Sequence, residues 1–389
     1  MSAKIAFISH SFGRGGAEKY LYDFIRYCCE EGVKCLVIGP RSGPQLEDLR
    51  RLGVEVVPIS LTSIIGSSVI LRCWQFLKIC LNTVQVMRVL LRFQPNLVYS
   101  NTSVIVSGAL ASRILSLHHF WHIHENFRTM EFPSAIPHKA LRRIIENLST
   151  KAIFVSHSAM ISMFPNGSCK AVVIHNGVDI SRFRLLPDTS KIKNKPQLCF
   201  VGALEHRKGV DLLLRALALL IHEGGKTVSL DIWGSGDLDD SALLKNLAEK
   251  LGIRKEVRFL GHTSNVHEIL PQYDVLVVPS RGESFSLVAL EGMAAGVPVV
   301  ATRCGGPEEI IDDGITGHLV DVGDYRQIAK AITAFLDDPA YARLVAQRAR
   351  TKALHSFNLQ GQLQRIMKLI LPNWIPPAKR QSPLSHTAW

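Results

Sequence analysis

Short apolar runs alternate along the whole chain with longer segments in which apolar residues recur every three or four positions. Runs of the first kind are strands buried on both faces and segments of the second kind are helices, so the alternation predicts parallel sheets with crossover helices. In the first half, strands are expected near Ile5 to Ser9, Lys34 to Ile38, Glu55 to Ile59, Leu97 to Tyr99, Phe120 to Ile123, Ala152 to Val155 and Val172 to Ile174. In the second half they are expected near Leu198 to Val201, Val228 to Ile232, Val257 to Phe259, Val275 to Val278, Val299 to Ala301 and His318 to Val320. Each half therefore reads as a doubly wound α/β unit. Between them, Ser181 to Pro196 is polar and carries Pro187, Lys191, Lys193 and Lys195, which marks a linker. Two further helices, Tyr341 to Ser356 and Gln360 to Leu371, follow the last strand, and the tail Ile375 to Trp389 is expected to be mobile.

Length agrees with this division, since 389 residues exceed one usual core and suggest two domains of roughly 180 residues. We place a first Rossmann-like domain at 1–180, the linker at 181–196 and a second domain at 197–356. The eight cysteines are scattered and contain no Cys-x-x-Cys pair, so neither a zinc site nor a disulfide framework is expected, and a reducing compartment fits. Met1 runs almost directly into the first strand, and no uncharged apolar run reaches the ~18 residues that span a bilayer. A cytoplasmic protein, soluble or peripheral on the membrane, is the expectation.

A formal net charge of +12 favours an anionic partner: a nucleotide sugar, a phospholipid surface or nucleic acid. Nucleic acid ranks last, because the basic residues are dispersed and no finger, helix-turn-helix spacing or aromatic ribonucleoprotein motif is present.

The most informative stretch is Glu283-Ser-Phe-Ser-Leu-Val-Ala-Leu-Glu291 followed by Gly292-Met-Ala-Ala-Gly-Val-Pro-Val-Val300. After the strand ending at Val278, a turn at 279–282 leads into a helix expected from Phe285 to Ala295. The N–H groups of its first turn carry a partial positive charge and suit a phosphate. Glu283 lies in the loop before that end, and the Glu291 side chain leans back toward it. Arg207 and Lys208 occupy another strand-to-helix turn, where fixed cations would stabilise a developing diphosphate charge. Gly13-Arg-Gly-Gly16 follows the first strand and would let backbone approach a ligand closely. Alternation along Phe120-Trp-His-Ile-His124 puts His122 inside the sheet and His124 at its carboxyl end.

These segments resemble the retaining glycosyltransferases of the two-Rossmann-domain type, the family-4 class with the GT-B fold. The resemblance rests on Gly15-Gly-Ala-Glu18, His124-Glu125, Asn176-Gly-Val-Asp179, Arg207-Lys-Gly209, the Glu-x7-Glu pair Glu283 and Glu291, Gly305-Gly-Pro-Glu-Glu309 and Gly314-Ile-Thr-Gly317, in that order over about 300 residues. It implies two doubly wound domains facing a cleft, a last helix (357–374) that crosses back to the first domain, and metal-independent transfer of a sugar from a nucleotide diphosphate sugar to a saccharide or lipid-linked acceptor. No cofactor is implied beyond the donor itself. Carried over residue by residue, His124, Glu283, Lys208 and Arg207 are the candidate catalytic residues. Gly15, Gly16, the amides of Phe285, Ser286 and Leu287, and Glu291 are the donor-binding ones. Glu283 would hold hydroxyls of the transferred sugar and Glu291 those of the ribose.

Two positions depart from the family pattern. Ala203 stands where Arg is common, so Arg207 is expected to take over its contact or the phosphate to be held less tightly. Ser286 stands where Gly is usual, and is expected to be tolerated with a negative φ. These departures leave room for a degenerate nucleotide-sugar-binding protein; among enzymes the alternative is a nucleotide-sugar epimerase on the same architecture, against which the Glu283 and Glu291 pair argues.

On the acceptor side, Ser68 to Phe93 forms a long helical pattern. Lys78, Gln85, Arg88 and Arg92 share one arc, with Phe76, Ile79, Cys80, Val86, Met87, Leu90 and Leu91 opposite. Two readings follow: a crossover helix packed on the sheet, or a helix whose basic face meets an anionic membrane.

Overall fold

The computed structural model describes residues 3–13, 15–64, 69–128, 137–183 and 195–374, with the backbone alone for 69–73. Every expected strand forms within two residues of its expected position. The first seven are β1 Lys4–Ile8, β2 Lys34–Gly39, β3 Glu55–Pro58, β4 Leu97–Ser100, β5 His118–Ile123, β6 Lys151–Phe154 and β7 Ala171–Val173. Between them run α1 Gly16–Glu30, α2 Leu46–Arg51, α3 Val69–Phe93, α4 Ser107–Ile114, α5 His138–Leu148 and α6 His157–Met163. The second set is β8 Gln197–Val201, β9 Ser229–Trp233, β10 Val257–Gly261, β11 Val275–Val278, β12 Val299–Thr302 and β13 His318–Val320. Its helices are α7 Val210–His222, α8 Leu238–Lys250, α9 Val266–Ile269, α10 Leu287–Ala294, α11 Pro307–Ile310, α12 Tyr325–Asp337, α13 Pro339–Ser356 and α14 Leu359–Ile370. Arg14, most of the expected linker (184–194) and the tail 375–389 lie outside the described residues.

Two parallel sheets result, ordered β3-β2-β1-β4-β5-β6-β7 and β10-β9-β8-β11-β12-β13. Strand order reverses between β1 and β4 in the first sheet and between β8 and β11 in the second. Such switch points open a crevice beyond the carboxyl ends of the strands, where ligands of open α/β sheets bind. The Gly-rich turn follows β1. The Arg207-Lys208 turn follows β8, and the Glu283 loop follows β11.

The chain divides into two compact units, one holding the described residues within 1–122, 133–152 and 363–389, the other those within 123–132 and 153–362. His124, Lys208, Glu283 and Glu291 thus share the second unit, whereas Gly15 and Gly16 belong to the first. α14 begins in the second unit and belongs to the first from Leu363 onward. In the first unit, Phe7, Phe24 and Tyr99 pack edge to face, and the Tyr99 hydroxyl lies 2.8 Å from Nδ1 of buried His122. His122 is therefore inside the sheet, as is His119 of the same strand. In the second unit, Leu198, Phe200, Leu230, Ile232, Val275 and Val277 from the strands meet Leu213, Leu217, Ile328 and Ile332 from α7 and α12. Burial of this kind, at about 25 cal/mol per Å2 of apolar surface, is what holds the strand ends and their turns in place.

α3 is the crossover between β3 and β4, but its faces differ from the sequence reading. Ile79, Val86, Leu90 and Phe93 are buried as an inner row, while Phe76, Cys80 and Leu91, expected on that side, are exposed. A 25-residue helix lying over a sheet buries an arc narrower than the apolar residues of this sequence fill.

Candidate functional site

The loop from β11 to α10 is stitched to the turn before α7. Arg281 reaches Asp211 through two hydrogen bonds of 2.8 and 2.7 Å, and also donates to the His206 carbonyl at 2.7 Å. Its backbone N–H donates to the Arg207 carbonyl at 2.7 Å. Gly209 lies against the loop with φ +68°, and a Cβ there would stand 2.0 Å from the Pro279 carbonyl oxygen, so only glycine fits.

This stitching assembles a charged constellation around one buried carboxylate. Lys208 Nζ donates to Glu283 Oε1 at 2.6 Å, and the Ser280 hydroxyl donates to the same oxygen at 2.8 Å. Arg207 stands 3.8 Å from Glu283 Oε2 and donates to the Gly282 carbonyl at 2.9 Å. Ser280 is fixed in turn by the Thr302 hydroxyl, which donates to its carbonyl. Burial pushes the Glu283 carboxyl up, but the charge and hydrogen bond of Lys208, then Arg207 and the Ser280 hydroxyl, outweigh it and hold the group below its ordinary 4.5. A carboxylate is thus kept ionised in a buried place, with two cations at hand. The sequence reading named Glu283, Lys208 and Arg207, and the structure brings them together. It gave no sign of Ser280, Thr302, Arg281 or Asp211, which are single polar residues without a motif of their own.

α10 starts at Leu287 rather than Phe285, with Ser286 as its N-cap. Ser286 has φ +75° and ψ +75°, which corrects the expectation of a negative φ. The turn needs a left-handed residue at this point, a conformation that costs a non-glycine residue about 1–3 kcal/mol. Its Oγ is buried and finds no hydrogen-bond partner among the described residues. Glu291, the fifth residue of α10, is buried in a helix whose other buried members are apolar. Phe285 is buried, with His175 stacked on it at 5.7 Å and Phe357 edge-on at 6.0 Å.

A second loop braces the first from behind. The Gly306 N–H donates to the Glu283 carbonyl at 3.0 Å, and Glu283 pairs with Gly305 as a parallel bridge. Glu309, the last acid of Gly305-Gly-Pro-Glu-Glu309, accepts from the His157 and Ser158 N–H groups at 2.8 Å each and lies 2.9 Å from His175 Nε2. It satisfies two of the open amides at the start of α6, with the Ser156 hydroxyl accepting from Ala159 beside it. Burial raises its pKa, and His175 and the two amides more than offset that, so Glu309 also stays ionised below 4.5. Glu309 thus acts as a helix cap for α6.

The sequence suggested no metal-ligand cluster, yet folding gathers donor atoms of His157, His175 and Glu309 within 4.8 Å. Both Glu309 oxygens already accept N–H hydrogens, so the trio fits a helix cap with a paired histidine better than a cation site.

His124 follows β5, half-buried, and its N–H donates to the Glu125 carboxylate at 3.2 Å. Two residues on, Asn126 donates to the Ser158 hydroxyl at 2.9 Å, beside Gly305, so the His124 loop abuts the brace of the Glu283 loop. In Asn176-Gly-Val-Asp179, Gly177 packs on the Leu359 backbone and Val178 pairs with Asn358. That motif fixes a turn. In the first unit, Gly15 caps α1 in extended conformation, and Gly13 accepts no strain, its N–H donating to the Ser11 hydroxyl at 2.9 Å.

The model of Glycosyltransferase Family 4 matches residues 14–182, and that of Glycosyl transferases group 1 matches 182–352. Glycogen synthase of Mycobacterium tuberculosis is 35% identical over 202 residues, 51% of this chain and 47% of that protein. D-inositol 3-phosphate glycosyltransferase of Corynebacterium jeikeium is 35% identical over 223 residues, covering 50% and 53%. The chain thus spans about half the length of the curated relatives it matches. The crystal structure of Anabaena HepE in complex with UDP and glucose superposes with a TM-score of 0.79 at 23% identity, over 95% of this chain and 99% of that one. With two family models laid end to end over two doubly wound parallel sheets, the chain belongs to the family-4 type of glycosyltransferases and has their GT-B fold.

Proposed function

We propose that this protein transfers a sugar from a nucleotide diphosphate sugar to a hydroxyl of a saccharide or lipid-linked acceptor, with retention at the anomeric carbon, in cell-envelope polysaccharide or glycolipid synthesis. The observation that carries the reading is the pairing of Lys208 with buried Glu283, with Arg207 beside it, next to the Ser286 cap of α10. A departing nucleoside diphosphate needs positive charge placed before the bond breaks, and fixed cations in a water-poor site supply it without reorganisation. Lys208 has three N–H donors and spends one on Glu283, so it can serve a phosphate without leaving the carboxylate. The Leu287 end of α10 adds its open amides. Because Glu283 is ionised it acts as an acceptor for sugar hydroxyls, which orients the ring, and Glu291 serves the ribose in the same way. His124 faces the sugar from the end of β5. Cations of the chain carry the leaving-group charge, so the proposed transfer is metal-independent.

HepE was crystallised with UDP and with UDP-glucose, which makes uridine diphosphate sugars the first donors to try. The test is a panel of nucleotide sugars read by thermal shift and then by transfer. Glu283→Ala and Lys208→Ala should each lower turnover by about 10²–10³-fold in folded protein. Full activity in both variants would remove the assignment. Conversion of donor sugar without acceptor would replace it with an epimerase, and tight donor binding without turnover with a degenerate binder.

A further inference from the structure

The outer face of α3 carries more apolar surface than a helix in water needs. Of the fifteen large apolar side chains exposed among the described residues, six lie on this helix: Trp74, Phe76, Leu77, Leu81, Val84 and Leu91, at 46–70% exposure. Scattered exposed apolar residues are ordinary, whereas a row of them marks a contact surface. At about 100° per residue, Leu77, Leu81, Val84 and Leu91 fall within about 40° of one another's centre, directly opposite buried Val86. The inner side is independently anchored: Ile79, Val86 and Leu90 are buried, and Asn82 accepts from the Thr62 N–H at 2.9 Å and donates to the Ser60 carbonyl at 3.3 Å. The outer row is therefore surplus to packing the fold.

Charge identifies what meets it. Arg88 lies within the row, Arg92 and Lys78 lie along one side of it, all three are exposed, and α3 contains neither Asp nor Glu. A second copy of this face would bring like charges together around its own apolar row, which opposes self-pairing. An anionic bilayer offers phosphate to the cations and hydrocarbon to the leucines at once. We propose that α3 seats on an anionic lipid surface, with Trp74, Leu77, Leu81 and Val84 entering the acyl boundary and Lys78, Arg88 and Arg92 at the phosphates. This goes beyond adsorption by a basic face, because the apolar row supplies a component that salt does not screen. It stands apart from the donor chemistry and does not need it.

Flotation of the full chain with vesicles of equimolar phosphatidylglycerol and phosphatidylcholine tests it, with pure phosphatidylcholine as the neutral arm. Wild type should bind the anionic vesicles, and high salt should weaken but not abolish that binding. Leu77→Gln with Leu81→Gln should lower partition at least about tenfold and make the remainder fully salt-sensitive. Lys78→Glu with Arg88→Glu should remove the preference for anionic lipid. The lipid-induced blue shift of tryptophan emission should vanish in Trp74→Phe. Because these positions are exposed, thermal melts should stay unchanged, which separates lost docking from lost fold. Absence of binding to anionic vesicles at low salt, or equal binding by the leucine variant, would overturn the proposal. So would a dimer in solution that the leucine variant turns into a monomer, since the face would then belong to a second copy.

Discussion

The turn after β1 and the pair of turns after β8 and β11 occupy the same topological place in their sheets, yet they are built from different materials. The first is glycine with backbone and hydroxyl bonds: the Ser9 hydroxyl donates to the Ser11 carbonyl at 2.6 Å, the Ser11 hydroxyl accepts from Gly13, the Gln45 N–H donates to the Phe12 carbonyl at 3.1 Å, and Glu18 stands 3.9 Å from His10. The second is charge held across long sequence separations, with Lys208 on Glu283 and Asp211 on Arg281. A turn of backbone and hydroxyl bonds can yield to a substitution or a ligand. A network built around one buried carboxylate, Glu283, cannot lose the cation beside it without leaving that charge unpaired. Position at a switch point makes a ligand site available; the charged network determines which chemistry the site suits.

The largest effect is expected at Lys208. Lys208→Ala leaves Glu283 buried with Arg207 at 3.8 Å as its remaining cation, and should destabilise the second unit by about 3 kcal/mol in denaturant unfolding as well as lowering transfer. Lys208→Ala combined with Glu283→Ala should recover most of that stability and none of the activity. A double variant as unstable as the single would mean that the unpaired carboxylate is not the cause. Acid provides the same test without mutation. The folded-state pKa of Glu283 is depressed, so its contribution is fully present above the ordinary carboxylate value of 4.5 and is lost as pH falls through the lower folded value. The stability gap between wild type and Glu283→Gln should accordingly close below pH 4.5, and a gap constant with pH would contradict the pairing.

Next come two alanines that set one turn against the other. A Cβ on Gly306 would stand 2.4–2.5 Å from the Phe285 backbone, which cannot rotate away. Gly306→Ala should cost about 3 kcal/mol by overpacking and weaken donor binding through the displaced Ser286 cap. A Cβ on Gly15 meets Glu18 Oε2 at 2.5 Å, the far end of a flexible side chain. Gly15→Ala should cost less than about 1 kcal/mol. Equal losses in thermal unfolding would break the contrast between the two turns.

The strands were legible because β-branched runs buried on both faces have few alternatives, and Val275 to Val278 falls where the sequence places it. Glu283, Lys208 and Arg207 were legible because a family pattern marks them, not because spacing shows that residues 75 apart will touch. Three features were not. The left-handed Ser286 is set by how β11 must turn into α10 against Gly306, a tertiary demand that local propensity cannot reveal. Glu309 caps α6 from about 150 residues away, and no sequence period reports such a partner. The outer row of α3 escaped because a helix apolar on two sides yields a weak single-face pattern, in which Trp74, Leu77, Leu81 and Val84 fall outside the one apolar arc read from the sequence.

The smallest effect is the most discriminating, at Ser286. Its left-handed φ disfavours any side chain, and its buried hydroxyl is unpartnered among the described residues, two costs that persist in evolved structures mainly where a ligand repays them. Ser286→Gly removes both and should raise the melting temperature by about 2–4 °C, near 1 kcal/mol for a unit of this size. Ser286→Ala keeps the strain and removes only the hydroxyl. If the hydroxyl serves the donor phosphates, both variants should weaken binding of a nucleoside diphosphate relative to the nucleoside, by about tenfold to a hundredfold for one hydrogen bond to a charged group. A stabilised Ser286→Gly that binds diphosphate as well as wild type would show that the α10 amides suffice and that serine here is only tolerated.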